Sequence, residues 1–268
     1  MIVRASRVMA LLCAALLAGR GAAAPPAYVW LPAIQADYCP AFRDDFSDPA
    51  SGWLVASDDL ARFEYLDGAY RILAKRPGFL YRTAAPHCPG ASYTVQADAR
   101  WAGASGSSYG LIFGVAAGYS AYYLFDVNSD YREFRLARRG PSGFTEIVPP
   151  TASPAIRPGA EPNRLTATRS GSRITLAVNG TPLGTWTDAM IGGLTGAGLA
   201  AAPYSDLPNA DARFDTFTIT PLPAAAPAGG PGEPPMPRPA GLREARDAWD
   251  TQSLRPRRPP PRTNRPQD

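Results

Sequence analysis

The segment Tyr109–Arg138 constrains the fold of this 268-residue chain more than any other stretch. Apolar and polar residues alternate through three consecutive runs, Tyr109–Val115, Ser120–Val127 and Tyr131–Arg138, with turn-forming residues between them. Because successive side chains of a strand point to opposite faces, this alternation predicts an antiparallel meander with one buried face. The other face is expected to offer Tyr, Asp, Glu and Arg side chains to solvent.

Short alternating runs of the same kind recur from Phe42 to Thr220, separated by Gly, Pro, Asn and Asp residues. Two of the separators, Asp67-Gly68 and Asn179-Gly180, are typical of two-residue hairpin turns because both positions accept a positive φ. No apolar pattern of helical period extends over ten residues or more between the N-terminal segment and residue 221. The sequence therefore predicts one all-β sandwich domain.

The two ends of the chain differ in composition from the middle. The N-terminal segment combines a charged start with Arg4 and Arg7, a short apolar run and small residues, which is the pattern of a secretory signal peptide. Within the Pro-, Ala- and Arg-rich C-terminal tail, Gly241–Leu254 could form a short helix. The chain is accordingly divided into residues 1–24 as signal peptide, 25–39 as lead-in, 40–221 as sandwich and 222–268 as disordered tail. We expect a secreted or cell-envelope protein whose mature chain has no transmembrane segment.

The formal net charge of +4 is carried by the two basic ends, whereas the middle of the chain is close to neutral. A near-neutral body gives no electrostatic footprint for specific nucleic-acid binding. Removal of the signal peptide leaves Cys39 and Cys88, and an even number of cysteines in an exported chain favours a disulfide. Such a bridge would stabilise the fold by about 4 kcal/mol. Two free thiols, or a metal site shared with His87, are the alternatives.

A series of motifs links the chain to a known family. In order, the chain contains DDFSDPASGW, YRIL, YGLIFG, YYLFDVNSDYREFRLAR, NRLTATRSGSRITLAVNGTPLGTW, GGLTGAGLAA and RFDTFTI. This order resembles the concanavalin A-like lectin/glucanase jelly roll, in particular exported bacterial members related to 3-keto-disaccharide hydrolases and laminin G-like domains. The resemblance implies a two-sheet antiparallel jelly-roll sandwich with adjoining first and last strands and one curved sheet with a concave face. It also implies a role with carbohydrate, through binding or through cleavage.

Catalysis of glycan cleavage requires a pair of carboxylates flanking the bond. None of the six glutamates is followed by an acid two residues later, so the Glu-x-Asp-x-x-Glu pattern that the resemblance implies for glucanases is absent. Asp126 and Glu133 are expected on adjacent strands, but Arg135 shares the face of Glu133 and is predicted to pair with it. With a single histidine, the usual catalytic triads are not available either. The sequence favours a non-catalytic module over an enzyme acting on sugar derivatives.

The polar face of the meander supplies the candidate ligand-binding residues, which are Tyr122, Asp126, Tyr131, Glu133 and Arg135. Sugar rings stack on aromatic side chains, and sugar hydroxyls form hydrogen bonds with carboxylates and guanidinium groups. The predicted partner is a glycan or a cell-envelope polymer. Alternatively, the same residues form an ordinary solvated sheet face that stabilises itself by cross-strand pairs, and the module binds no small ligand.

A second candidate site lies where the first and last strands are expected to adjoin. Three aspartates lie close together in the first strand and its turn, namely Asp44, Asp45 and Asp48. Two more, Asp211 and Asp215, lie around the start of the last strand. Oxygens of Asp45 and Asp215, together with backbone carbonyls, could hold a structural Ca²⁺ ion. The spacing does not match an EF-hand loop, and the same aspartates are equally explained as turn formers.

Overall fold

Almost all of the described chain is β-strand. The computed structural model describes residues 39–87, 90–103, 107–193, 195–203, 210–223 and 246–248. The strands are β1 (Phe42–Asp44), β2 (Ala56–Ser57), β3 (Ala61–Leu66), β4 (Ala69–Ala74), β5 (Phe79–Ala84), β6 (Ser92–Trp101), β7 (Ser107–Val115), β8 (Tyr122–Asn128), β9 (Glu133–Gly140), β10 (Gly143–Ala152), β11 (Asn163–Ser170), β12 (Arg173–Val178), β13 (Thr181–Thr187), β14 (Gly196–Pro203), β15 (Ala210–Pro221) and β16 (Arg246–Ala248). The one helical element in these ranges is a 3₁₀ turn, Ala117–Tyr119. The predicted all-β class is confirmed.

Several predictions from the sequence fall outside these ranges. The predicted signal peptide, nearly all of the lead-in and most of the tail lie outside the described residues. Cys39 is buried, but Cys88 also lies outside them, so the Cys39–Cys88 disulfide stays a prediction. None of the described residues form a helix long and apolar enough to cross a membrane.

The strands form two antiparallel sheets. The nine-stranded sheet has the order β13-β12-β11-β6-β15-β4-β3-β2, with β1 also paired to β15. The seven-stranded sheet has the order β10-β9-β8-β7-β14-β5-β16. Strands that are distant in the sequence pair in space, as β6 does with β15, and β1 adjoins β15 as the resemblance implies. The predicted two-sheet jelly-roll sandwich is therefore confirmed.

The main core lies between the two sheets and is built from alternate residues of each strand. In β6, buried residues alternate with half-buried ones along the whole strand. The buried members of β6 are Tyr93, Val95, Ala97, Ala99 and Trp101. From the facing sheet, Leu111, Phe113 and Phe125 belong to the same apolar cluster. Removal of this apolar surface from water is the main contribution to the stability of the sandwich.

The acidic first strand has a structural role. One carboxylate oxygen of Asp44 accepts a hydrogen bond from the backbone N–H of Phe46 at 2.7 Å, and the other accepts from the indole N–H of Trp53 at 2.8 Å. The Trp53 ring packs edge-on against Phe217 of β15, with 5.0 Å between ring centroids. The motif DDFSDPASGW thus fastens the first strand to the last.

Both hairpin turns predicted from dipeptides are confirmed. Asp67 and Gly68 have φ values of 54° and 73°, and Asn179 and Gly180 have values of 51° and 80°. These positive φ values at both central positions suit the right-handed twist of the flanking strands. The Asn179 side chain also accepts from the backbone N–H of Arg164 at 2.8 Å, which joins this turn to β11.

Two segments differ from the prediction. The sequence predicts a proline-rich excursion at Pro149–Pro162, yet β10 continues through Pro149 and Pro150. Because β10 is an edge strand with two register irregularities, it tolerates residues that lack a backbone N–H. In the tail, β16 lies where a short helix is predicted, and there it pairs with β5 instead.

Candidate functional site

The candidate site lies on the distal face, by which we mean the face of the seven-stranded sheet turned away from the nine-stranded sheet. One row of residues crosses this face from strand to strand. In register from β9 to β5, the row is Arg135, Asp126, Gly110, Ala200 and Arg82. The centre of the row therefore has no long side chain, whereas charged groups stand on both sides of it.

A buried ion pair fixes the first side of the row. The guanidinium of Arg135 donates to both carboxylate oxygens of Asp126, with distances of 3.0 Å from Nε and 2.6 Å from Nη2. The Ser108 hydroxyl donates to Asp126 at 2.7 Å. Each side chain of the pair is only 2% exposed. The prediction that Arg135 pairs with Glu133 is wrong, because Asp126 stands directly across from Arg135 whereas Glu133 stands across from Asn128.

The second side of the row is a cluster of cations and aromatic rings. The guanidinium carbon of Arg82 lies 4.6 Å from the ring centroid of Tyr119 and 5.1 Å from that of Tyr122. Tyr122 in turn packs edge-on against Phe144, whose ring lies 5.7 Å from the guanidinium carbon of Arg139. The attraction between a cation and the face of an aromatic ring is stronger when water is excluded. These contacts hold the rings in fixed orientations along the face.

The position of Tyr119 depends on the short turn between β7 and β8. Gly118 and Tyr119 both adopt positive φ values, 61° and 55°. This conformation lets the Tyr119 hydroxyl accept a hydrogen bond from the backbone N–H of Ala84 at 2.8 Å. The turn thereby connects to β5, which β14 separates from β7 in the sheet.

Two further carboxyl groups border the face. Glu146 of β10 lies opposite Ala137, and Glu133 begins β9. Partial burial raises the pKa of the Glu146 carboxyl; the positive charge of Arg135 counteracts this rise and the negative charge of Asp126 adds to it. Partial burial likewise raises the pKa of Glu133. The distal face thus contains one paired carboxylate and two acids that hold their protons more tightly than usual.

Asn128 brings an unused hydrogen-bond donor to the end of the face. Its side-chain oxygen accepts from the backbone N–H groups of Asp130 at 3.0 Å and Tyr131 at 3.2 Å, which forms the turn after β8. Its side-chain nitrogen is buried and has no acceptor among the described residues. An unpaired buried donor costs about 1–3 kcal/mol. By the alternation of β8 it shares the face of Asp126, so it can donate to an oxygen placed there.

The structure brings three of the five predicted ligand-binding residues together. Tyr122, Asp126 and Arg135 lie on the distal face, but they are buried, so the expectation of a solvent-exposed face is wrong for them. Glu133 is half-buried at the end of the face. Tyr131 lies in the turn between β8 and β9 and is 39% exposed. Alternation identifies which residues share a face, but it contains no information on what covers that face.

Sequence reasoning misses several residues of the site. These are Arg82, Ser108, Tyr119, Asn128, Arg139, Phe144 and Glu146. The sequence could have indicated Arg82, because a charged residue in the middle of the apolar run of β5 is uncommon unless it is paired. It could not have indicated Tyr119, since the place of that side chain depends on a contact with β5, which is distant in sequence.

The calcium site predicted at Asp45 and Asp215 stays a prediction. Among the described residues, no third acidic ligand is grouped with these two. The Asp45 carboxylate accepts from the hydroxyl and the backbone N–H of Ser47, at 2.6 and 3.1 Å, and these bonds lower the pKa of Asp45. Asp48 caps its own turn by accepting from the N–H of Ala50 at 2.8 Å. Asp215 is the extra residue at a register shift in β15. Within the described ranges, no three His, Cys, Asp or Glu side chains are grouped to hold a metal.

Asp215 instead borders a polar cleft of about 640 Å³ on the nine-stranded sheet. On its wall, Arg164 donates to both carboxylate oxygens of Asp98, at 2.7 and 2.8 Å. The Arg164 side chain is 56% exposed. This pair has the same geometry as Asp126–Arg135 but remains in contact with water, so it provides a matched control for the distal face.

Comparison with solved structures identifies the fold. The chain superimposes on the carbohydrate binding module CBM66 from Bacillus subtilis with a TM-score of 0.51 and 13% identity, over 63% of this chain and 96% of that module. A Bacillus subtilis protein of unknown function with a galectin-like fold gives 0.52 and 12%, over 68% of this chain and 96% of that chain. The β-glucanase of Bacillus licheniformis gives 0.50 and 10%, over 68% of this chain and 99% of the enzyme. The chain has the concanavalin A-like jelly-roll fold.

At these identities the concanavalin A-like fold assigns no role to a particular residue. No protein-family model and no curated protein sequence matches the chain. The roles of the distal-face residues in this concanavalin A-like sandwich therefore rest on their geometry.

Proposed function

We propose that this protein is a secreted or cell-envelope module that binds carbohydrate on the distal face of its seven-stranded sheet. The observation that carries the proposal is the combination on one face of the Arg82–Tyr119–Tyr122 cluster with the Asp126–Arg135 pair. Aromatic rings in fixed orientations beside oriented charged groups are what recognition of a sugar ring requires. The signal-peptide pattern of residues 1–24 supports an extracytoplasmic location.

The row across the face suggests how a sugar would lie. Gly110 and Ala200 leave the centre without long side chains, so a pyranose ring can approach the sheet there. The Tyr122 ring lies at one side of this centre, enclosed by Arg82 and Phe144, and it can stack on a sugar only once it is uncovered. The Asn128 side-chain nitrogen supplies a donor without a competing acceptor among the described residues. Such preorganised groups reduce the entropy lost on binding. The similarity to a carbohydrate binding module supports the same assignment.

A second candidate function is hydrolysis of a glycosidic bond, and one observation favours it. Partial burial raises the pKa of Glu146, and Asp126 lies close enough to add to this rise. A carboxyl with a raised pKa beside a second carboxylate is the arrangement that acid-catalysed glycoside cleavage uses. Both oxygens of Asp126 are, however, already bonded to Arg135, and Ser108 donates to one of them. These bonds favour binding over catalysis.

The test is binding of the full chain to a glycan array that includes soluble β-1,3(4)-glucan. We expect binding that weakens at least about tenfold, or 1.4 kcal/mol, in Arg82→Met, because the cation between the two tyrosines is lost. Arg164→Met on the nine-stranded sheet is the matched control and should bind like the wild type. Equal binding by both variants would contradict the distal-face site, as would a folded chain that binds no glycan at about 1 mM.

Release of reducing sugar separates the second candidate from the first. If the protein cleaves glycans, Glu146→Gln should abolish product release and leave binding unchanged, because the amide cannot donate the required proton. If it only binds, no reducing sugar appears with either the wild type or this variant.

A further inference from the structure

The end of the distal face next to the turn between β8 and β9 contains a hydrogen-bond donor whose identity is fixed. The side-chain oxygen of Asn128 accepts from the backbone N–H groups of Asp130 and Tyr131, at 3.0 and 3.2 Å. Only the oxygen of an amide can accept these bonds, so the other terminal atom of Asn128 is the nitrogen. This nitrogen is buried and has no acceptor among the described residues. Because Asn128 is only 5% exposed, bulk water does not supply the missing acceptor.

A hydrogen-bond acceptor stands directly across from this donor. Asn128 of β8 is paired in register with Glu133 of β9, and by alternation both side chains share the distal face. Side chains at paired positions have their Cβ atoms about 5 Å apart. Burial raises the pKa of the Glu133 carboxyl, and no hydrogen bond or neighbouring charge within the described ranges offsets this rise. The donor and the acceptor therefore face each other without being bonded to each other.

This end of the distal face is the part that a ligand reaches first. Glu133 is half-buried, and Tyr131 in the adjoining turn is 39% exposed. Tyr122, farther along the face, has no exposed surface. Since no hydrogen bond among the described residues holds the Glu133 side chain, it can rotate to another staggered conformation without movement of the backbone. A ligand group can thus be admitted between Glu133 and Asn128 while the sheet stays intact.

The two side chains define the chemistry of the group that fits between them. It must present an acceptor to Asn128 and a donor to Glu133, and these must point in different directions because the two residues lie on different strands. A secondary amide meets this requirement, since its C=O and N–H point to opposite sides of one rigid plane. An ammonium group offers no acceptor. A carboxylate offers no donor, and the charge of Glu133 repels it.

We propose that Asn128 and Glu133 form a subsite, the Asn128–Glu133 subsite, that binds the acetamido group of an N-acetylated sugar. The carbonyl oxygen of the acetamido group accepts from the Asn128 side-chain nitrogen, and its N–H donates to the Glu133 carboxylate. Neither the turn after β8 nor the Asp126–Arg135 pair has to break. The inference rests on the proposed carbohydrate-binding function and names the class of glycan that the distal face selects.

Binding of the full chain to two β-1,4-linked tetrasaccharides tests the subsite. Chitotetraose carries an acetamido group at the second carbon of each ring, where cellotetraose carries a hydroxyl. Asn128→Asp keeps the oxygen that forms the turn and replaces the buried donor with an acceptor, while Glu133→Ala removes the opposite acceptor. Glu161→Ala, which truncates an exposed glutamate in the loop before β11, is the matched control. Titration calorimetry measures both affinities for each protein, and circular dichroism shows that each variant is folded.

We expect the wild type to bind chitotetraose at least about tenfold more tightly than cellotetraose, because a hydroxyl leaves one of the two protein groups without a partner. Asn128→Asp and Glu133→Ala should each abolish most of this preference and change the affinity for cellotetraose little. Glu161→Ala should keep the preference in full. If Asn128→Asp does not fold, Glu133→Ala, at a half-buried position, decides the question.

The outcomes that would overturn the subsite differ from those that would overturn the carbohydrate-binding function. Equal affinity of the wild type for the two tetrasaccharides overturns the subsite and leaves the function standing. A preference for chitotetraose that survives in both subsite variants shows that the acetamido group binds elsewhere. If neither tetrasaccharide binds at about 1 mM but another glycan of the array does, the subsite fails alone. If no glycan binds at all, the carbohydrate-binding function fails and the subsite with it.

Discussion

Two aspartate–arginine pairs of the same bidentate geometry occur in this protein, and they differ in burial. Asp126–Arg135 is 2% exposed on each side, whereas Arg164 of the pair Asp98–Arg164 is 56% exposed. A buried pair loses the hydration of both ions, so removal of one partner leaves a charge that nothing compensates. An exposed pair is replaced by water at little cost. The contribution of an ion pair here is decided by its surroundings and not by its distances.

Arg135→Ala should lower the free energy of unfolding by about 3–5 kcal/mol, because it leaves the Asp126 carboxylate buried without a partner cation. Arg164→Ala should lower it by less than about 1 kcal/mol. Urea denaturation at neutral pH with linear extrapolation measures both. Similar values for the two variants would contradict the burial argument, and restored stability in the double variant Asp126→Asn/Arg135→Ala would support it.

At this scale the sequence predicts the members of the site better than their partners. Tyr122, Asp126 and Arg135 share a face because alternation along a strand is a local property. The partner of Arg135 depends on the register between β8 and β9, which the turn between them sets. The prediction of Glu133 as the partner used only the shared face of one strand, and it missed Asp126 on the neighbouring strand.

At the scale of elements, the closeness of β7 to β8 depends on a glycine. A Cβ atom added at Gly110 would lie 2.1 Å from the carbonyl oxygen of Phe125 and 2.7 Å from the Cα of Asp126. Both are backbone atoms of β8, which cannot rotate away. Gly140, at the end of β9, has no atom within 4 Å of such a Cβ. The two glycines therefore have different reasons to be present.

Gly110→Ala should destabilise the protein by about 1–3 kcal/mol or more, because β7 and β8 must move apart to admit the methyl group. It should also weaken glycan binding, since Asp126 lies at the point of collision. Gly140→Ala should be neutral or stabilise by up to about 1 kcal/mol, because alanine loses less backbone entropy on folding. Thermal denaturation followed by circular dichroism compares the two, and an equal loss in both would refute the steric account.

The sequence predicts the local elements well and the edges of the sheets poorly. The meander and both dipeptide hairpins depend on alternation and on positive φ, which short stretches encode. The path of β10 through Pro149 depends on its place at a sheet edge, which only the topology decides. The same holds for β16, whose three residues are a strand because β5 offers them an edge.

At the scale of the whole molecule, the order of motifs predicts the jelly roll, and the closed distal face is not predicted. Whether a sheet face is open depends on distant segments, so no local pattern reports it.

The predicted Cys39–Cys88 bridge is a test at this scale. The rings of Phe42 and His87 stack with 5.1 Å between centroids, so a residue three positions after Cys39 lies close to the residue before Cys88.

If Cys39 and Cys88 form a bridge, the exported protein should gain no mass on alkylation under denaturing conditions without reductant. After reduction it should gain two alkyl groups, and its free energy of unfolding should fall by about 4 kcal/mol, because the unfolded chain is no longer cross-linked. A Cys39→Ser/Cys88→Ser variant is the control and should respond to neither treatment. Two alkyl groups without reductant would refute the bridge.

The only histidine of the chain should make stability depend on pH near neutrality. Burial lowers the pKa of His87 below its ordinary 6.5, against a smaller opposite effect of the Pro40 backbone. Below pH 6.5 the unfolded chain then binds more protons than the folded one, so the free energy of unfolding falls as the pH drops from 6.5 to the lowered pKa. Glu133 and Glu146 act in the opposite sense: because their folded pKa values are raised above 4.5, stability rises as the pH falls through the window just above 4.5.

Urea denaturation of the wild type and of His87→Phe between about pH 7.5 and pH 5 separates these contributions. Phenylalanine keeps a ring to stack on Phe42 and removes the titrating group, so the variant should lose the fall in stability below pH 6.5. Glu146→Gln is the matched control: it should keep that fall and weaken only the rise that begins nearer pH 4.5. A wild type whose stability does not change between pH 7.5 and the onset of carboxylate titration would show that His87 titrates alike in the folded and unfolded chains.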